Sequence, residues 1–146
     1  MKITVTRHHD FSYGHRVVGH EGKCALLHGH NARVHFTVAS RKELDAVGRV
    51  LDFSIIKSLL CDWVEEHWDH RMLLSLDDPL RGVLAKYPSA GVVVVPFNPT
   101  AENMGQYLLD VIGPSQLEDT RCELIEVTVE ETRKCRATCS RGMPSG

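Results

Sequence analysis

The stretch KITVTRHHDFSYGH (residues 2–15), read together with HGHNARVHFTVA (residues 28–39), decides the fold. In the first, Ile3, Val5, His9, Phe11, Tyr13 and His15 share one parity, while Thr4, Thr6, His8, Asp10 and Ser12 share the other. A period of two with one apolar side describes a strand whose one face is buried. In the second, His28, His30, Ala32, Val34, Phe36 and Val38 fall on one face. Residues 16–27 between them carry Gly19 and Gly22 and read as a loop. A hairpin-like connection of this kind joins antiparallel neighbours.

Working outward, Asp45–Gly48 reads as a turn, followed by a short strand around Arg49–Leu51. Asp52 or Ser54 caps a helix. Ile56, Leu59, Leu60, Trp63, Val64 and His67 then fall at helical spacing. Asp77–Ser89, with two prolines, reads as loop. Val92–Val95 is a run of β-branched residues that fits a buried strand. Thr100 caps a second helix with Met104, Tyr107, Leu108, Val111 and Ile112 as its stripe, and Gly113-Pro114 is read as its stop. Residues 122–132 form the last strong strand, and residues 134–146 show no periodicity and read as a mobile tail. Strand, strand, helix, strand, helix, strand admits a parallel α/β arrangement. The hairpin at the start favours α+β, with an antiparallel sheet and two helices on one face.

The chain has 146 residues, enough for one domain with its own core. No apolar run approaches the length of a membrane span, and residues 1–7 lack the apolar stretch of a secretory leader. A net charge of −2 with dispersed Lys and Arg argues against a nucleic-acid partner. Five cysteines at irregular spacing fit a reducing cytoplasm better than a disulfide framework.

Nine histidines stand out, with His15, His20, His28 and His30 crowded into one region. Alternation sets His28 and His30 on one face, and His15 ends the neighbouring strand on its apolar side. Three imidazoles meeting there, with a fourth position open, would suit catalytic Zn²⁺, although Fe, Ni and Cu also accept imidazole. The plainer account is a pair of polar residues on an exposed strand face. Cys24, four residues before His28, reads as a thiolate base or nucleophile if it lies near a cation, and otherwise as a small buried hydrophobe. The latter account suits Cys61 and Cys122. Cys135-x3-Cys139 fits a tail better than a zinc knuckle. Asp69-His70 pairs a carboxylate with an imidazole, as in a proton relay, or else marks a helix end. Glu131 continues the inward parity of Ile125, Val127 and Val129. Either it bonds a ligand, such as the guanidine-like edge of a pterin or guanine, or the strand ends before it.

Six segments occur in order: Phe11-Ser-Tyr-Gly-His15, Cys24-x3-His28-Gly-His30-Asn31, Gly48-Arg-Val-Leu-Asp52-Phe53, Asp69-His70, Asn98-Pro-Thr-Ala-Glu102-Asn103 and Val127-x-Val-x-Glu131-Thr132. Together they resemble the 6-pyruvoyl-tetrahydropterin synthase / 6-carboxytetrahydropterin synthase family. The resemblance implies a tunnelling fold, with a four-stranded antiparallel sheet, two helices on one face, and sheets joined into a barrel. It implies a homo-hexamer of two trimers with active sites at subunit interfaces. It also implies zinc on His15, His28 and His30, Cys24 as proton-abstracting thiolate, and Asp69 and His70 as relay. Glu131 would anchor the pterin and is a candidate member of the relay, and Thr100 would line the pterin pocket.

The Cys-x3-His-Gly-His spacing resembles the 6-carboxytetrahydropterin branch. That branch converts 7,8-dihydroneopterin triphosphate to 6-carboxy-5,6,7,8-tetrahydropterin, acetaldehyde and triphosphate on the way to 7-deazaguanines such as queuosine. Ala32, Trp68, Leu74 and a long 76–97 segment depart from the pattern. His8, His9, Arg16, Lys23, Arg133 and Lys134 are the basic candidates for the triphosphate. Competing readings are a pyruvoyl-type synthase, a non-catalytic pterin- or metal-binding relative, and a zinc hydrolase unrelated to pterins.

Overall fold

A computed structural model describes residues 2–144. Six strands form one mixed sheet: β1 (Val5–His15), β2 (His28–Ser40), β3 (Arg71–Ser75), β4 (Val92–Val95), β5 (Cys122–Glu130) and β6 (Arg136–Ser140), in the order β4-β3-β1-β2-β5-β6. The expected antiparallel pairing of the first two strands is present along all of β1, from Val5 opposite Val38 to His15 opposite His28. β1, β2, β5 and β6 make a four-stranded antiparallel portion. Of the four strands expected from sequence, Val92–Val95 is β4 and is joined through the unexpected β3 in parallel to the end of β1, while β6 is a further addition.

The helices are α1 (residues 53–67), the short α2 (Leu80–Leu84) and α3 (residues 101–116). Asp52 caps α1 by accepting from the Ser54 amide, and Thr100 caps α3 by accepting from the Asn103 amide. Ile56, Leu60 and Val64 from α1 and Met104 and Leu108 from α3 are buried against Phe11, Val34, Phe36, Val127 and Val129 of the sheet. Each such side chain contributes roughly 1.5–3 kcal/mol on burial. The other sheet face carries Thr6, His8, Asp10, Asn31 and Arg33, exposed or half-buried. Among the described residues no helix is long and apolar enough to cross a membrane.

Several expectations are corrected. Residues 49–51 follow a turn at 46–47 as a bend rather than a strand. Asp45 Oδ1 accepts from the amides of Val47 and Arg49, which closes the chain locally. The 77–89 loop contains α2. The segment expected to be a structureless tail holds β6, which pairs with β5 and seats Cys139 against Gly105 of α3. A bulge opposite Thr37–Val38 shifts the inward row of β5, so Leu124 rather than Ile125 joins Val127 and Val129 in the core cluster.

Gly113-Pro114 does not stop α3. A Cβ on Gly113 would lie 2.5 Å from Leu124 Cδ2, so glycine there permits close helix–sheet contact. The helix passes Pro114 through a wide π turn at Leu108–Ile112, and the Leu109 carbonyl accepts from Arg141 instead.

Candidate metal centre and active site

The register of β1 on β2 builds the site. His15 stands opposite His28 and Tyr13 opposite His30, so alternation brings the three expected histidines to one face. One ring nitrogen from each lies within 4.8 Å of the others. The Nε2 atoms of His15 and His28 are 3.1 Å apart. A tetrahedral metal with imidazole ligands would space them by about 3.4 Å.

The backbone dictates which nitrogens face inward. His15 Nδ1 lies 2.6 Å from the Pro99 carbonyl oxygen, and His28 Nδ1 lies 2.6 Å from that of Leu26. A carbonyl can only accept, so each Nδ1 carries the proton and each Nε2 presents a lone pair. Two lone pairs facing each other repel unless a cation lies between them. His30 Nε2 is buried with no hydrogen-bond partner. Burial lowers the pKa of His15 and of His30, which keeps both rings neutral as metal ligands require. Converging ring nitrogens, one of them buried without a partner, fit a metal ion, and these three residues can hold one.

Glu131 resolves the choice posed by its parity. β5 ends at Glu130, and the Glu131 amide donates to Cys135 across the turn into β6. Its carboxylate nevertheless turns inward. Oε1 lies 3.5 Å from His15 Nε2 and from His30 Nε2, and accepts from the Tyr13 hydroxyl at 3.3 Å. Burial first, and the Glu131 charge second, raise the Tyr13 pKa. Tyr13 therefore stays a donor and orients this carboxylate, a role not assigned from sequence.

Cys24 lies in a 3₁₀ turn (Lys23–Ala25) of the β1–β2 loop and is a half-buried free thiol. The Thr100 hydroxyl is occupied as the α3 cap but keeps its own proton to donate. Of the basic candidates for the triphosphate, Arg16 is engaged by Asp78 and His9 by Glu65.

Asp69 and His70 form the expected pair, His70 Nδ1 lying 2.6 Å from Asp69 Oδ2. The other Asp69 oxygen accepts from the Ser12 amide. Burial pushes the Asp69 carboxyl up, but the Ser12 amide and the His70 ring together outweigh it and hold the pKa below the usual carboxylate range. His70 has φ of 58°, an uncommon conformation for a non-glycine residue, and its amide donates to the Ser12 carbonyl. Its ring is 80% exposed. It borders a groove of about 620 Å³ lined by Ser12, Asn31, Arg33 and Glu130 of the helix-free face together with Glu65 of α1. The histidine trio faces the opposite side. One chain therefore unites the trio and Glu131, while the His70 side chain stands exposed beside a second groove that His28 and His30 also line.

Comparison with known proteins gives the family and agrees with the fold. The family model for 6-pyruvoyl tetrahydropterin synthase matches residues 4–142. A 6-carboxy-5,6,7,8-tetrahydropterin synthase of Rickettsia typhi is 36% identical over 134 residues, covering 91% of this chain and 96% of that protein. A probable 6-carboxy-5,6,7,8-tetrahydropterin synthase of Halobacterium salinarum is 36% identical over 128 residues, 83% of this chain and 75% of that one. An uncharacterized protein from Wolinella succinogenes superposes with a TM-score of 0.84 at 25% identity, over 97% of this chain and 99% of that one. Plasmodium vivax 6-pyruvoyltetrahydropterin synthase shares the fold, with a TM-score of 0.70 at 22% identity over 98% and 99% of the two chains. Since the match runs through every strand of the sheet, this protein belongs to the 6-pyruvoyl tetrahydropterin synthase family.

Proposed function

We propose that this protein is a zinc-dependent carbon–carbon lyase, a 6-carboxy-5,6,7,8-tetrahydropterin synthase. It would convert 7,8-dihydroneopterin triphosphate and water to 6-carboxytetrahydropterin, acetaldehyde and triphosphate, on the route to 7-deazaguanines. The observation that carries this reading is the set of converging ring nitrogens of His15, His28 and His30, in a chain whose curated relatives bear that name. Zinc held there would act as a Lewis acid toward the oxygens of the substrate side chain. Glu131, oriented by Tyr13, accepts two N–H bonds from the 2-amino-pyrimidinone edge. Cys24 removes the C–H proton beside the ring imine. His70, held by Asp69, moves the hydroxyl proton as the carbon–carbon bond breaks. Thr100 lines the pterin pocket.

The outward ring of His70 supports a composite site in which one subunit brings the trio and Cys24 and a neighbour brings Asp69–His70. A homo-hexamer of two trimers, with sheets joined into a barrel, would supply such interfaces. The free state of the five cysteines supports a reducing cytoplasm.

The test is incubation with 7,8-dihydroneopterin triphosphate and mass identification of the products. Acetaldehyde with 6-carboxytetrahydropterin is expected. A 6-pyruvoyl product without acetaldehyde would assign the pyruvoyl reaction instead, and no turnover would favour a binding role.

A further inference from the structure

The β1–β2 loop leaves β1 directly after His15 and returns to β2 at His28, so it joins two of the three histidines and carries Cys24 between them. A loop of this length with Gly19 at φ 83° would be free to wander unless fastened. It is fastened at its first residues. Arg16 Nε and Nη2 donate to the two oxygens of Asp78, each at 2.7 Å. The third arm, Nη1, donates to the carbonyl of Ala25, the residue after Cys24, at 3.3 Å. The Val17 amide donates to the carbonyl of Cys24 itself at 2.7 Å. Asn98 brackets Val18, accepting from its amide at 3.0 Å and donating to its carbonyl at 2.9 Å.

Asp78 is buried and also accepts from the Leu80 amide, which fixes it at the start of α2. A buried carboxylate is costly without a partner, so its bond to Arg16 is firm. A planar guanidinium can engage a carboxylate with two N–H groups and still present another to a carbonyl; an ammonium has no such rigid fork. The fork therefore links three things: the end of the strand that bears His15, the buried Asp78, and the peptide that follows Cys24.

We propose that Arg16 and Asp78 are positioning residues for Cys24, a clamp that fixes the thiol-bearing turn relative to the histidine trio. Arg16 thereby leaves the set of triphosphate candidates. This inference rests on the lyase reading above, in which Cys24 removes a proton, and the experiment separates the two.

Arg16→Lys, Asp78→Asn and Cys24→Ala are prepared as metal-loaded proteins. Metal content, kcat and KM are measured, together with the rate at which iodoacetamide alkylates Cys24, read from its own peptide by mass spectrometry. For Arg16→Lys and Asp78→Asn, metal content and KM stay near wild type. Their kcat falls at least about tenfold, because small misplacements of a reacting group cost that much or more. Cys24 alkylation accelerates several-fold as the turn loosens. A merely structural role would lower the folded fraction and metal content together without splitting kcat from KM.

Should Asp78→Asn fail to fold, Arg16→Lys decides alone, since it keeps the charge and loses the fork. If Cys24→Ala is inactive while Arg16→Lys keeps wild-type kcat and alkylation rate, the clamp is overturned and the lyase reading stands. If Cys24→Ala retains turnover, the assignment of Cys24 falls, and the clamp with it.

Discussion

Single atoms decide what the centre can hold. The carbonyls of Pro99 and Leu26 fix the tautomers of His15 and His28, so the protons of those rings point away from the trio. Burial lowers the pKa of both His15 and His30, with Glu131 opposing it less strongly. The sign of the stability effect follows. The unfolded histidines take up protons near pH 6.5, while the folded ones resist until lower pH. Chelated protein is therefore expected to lose stability as pH falls below about 6.5, on top of the loss caused by removing the metal. Thermal scans of the chelated protein between neutral and mildly acid pH check this, and a melting temperature rising on acidification would contradict it. At this scale the histidines and Asp69–His70 were legible, because spacing and strand parity place side chains. Tyr13 and Asp78 were not. An inward Tyr reads as core, and a carboxylate sixty-two residues from its Arg partner carries no local pattern.

Among the elements, the strongly periodic ones and the β-branched run Val92–Val95 were legible, whereas β3, α2 and β6 were not. β1, β2, α1 and α3 each carry a full apolar row, which fixes both type and facing. β4 announced itself by four consecutive valines, but β3 is short and runs parallel to β1, where buried runs show no alternation. β6 alternates exposed Arg136, Thr138 and Ser140 around half-buried Ala137 and Cys139, a pattern too polar to stand out. Gly113 shows the same limit: in sequence it looks like a stop, in space it is a contact. A Cβ there would lie 2.5 Å from Leu124 Cδ2 and 3.0 Å from Leu124 Cβ, so this buried side chain must turn and its backbone give slightly. Gly113→Ala is expected to cost about 1–3 kcal/mol, the usual range for overpacking. Urea unfolding checks it, and a midpoint unchanged from wild type would show that the helix does not press on β5 there.

On the scale of the whole molecule, the sheet has two unlike faces. One is covered by α1 and α3 and ends in the histidine trio. The other is polar, bears the groove beside His70, and is not covered by helices. The exposed Asp69–His70 pair, apart from the proposed metal ligands, fits the proposal of a site shared between adjoining copies. Cys24→Ala and His70→Ala proteins are each expected to be inactive. After unfolding and co-refolding as an equal mixture, they should regain about a quarter of wild-type turnover, since random assembly leaves that share of composite sites intact. No recovery, with mixed oligomers shown to form, would place both groups in one subunit's site.

The claim on which the account depends is that His15, His28 and His30 together bind a divalent metal. Elemental analysis of the purified protein tests it most directly. About one metal ion per chain, mostly zinc, is expected, falling to near zero in folded His28→Ala. Metal content unchanged by that substitution, or a wild-type protein that takes up none when zinc is supplied, would contradict it.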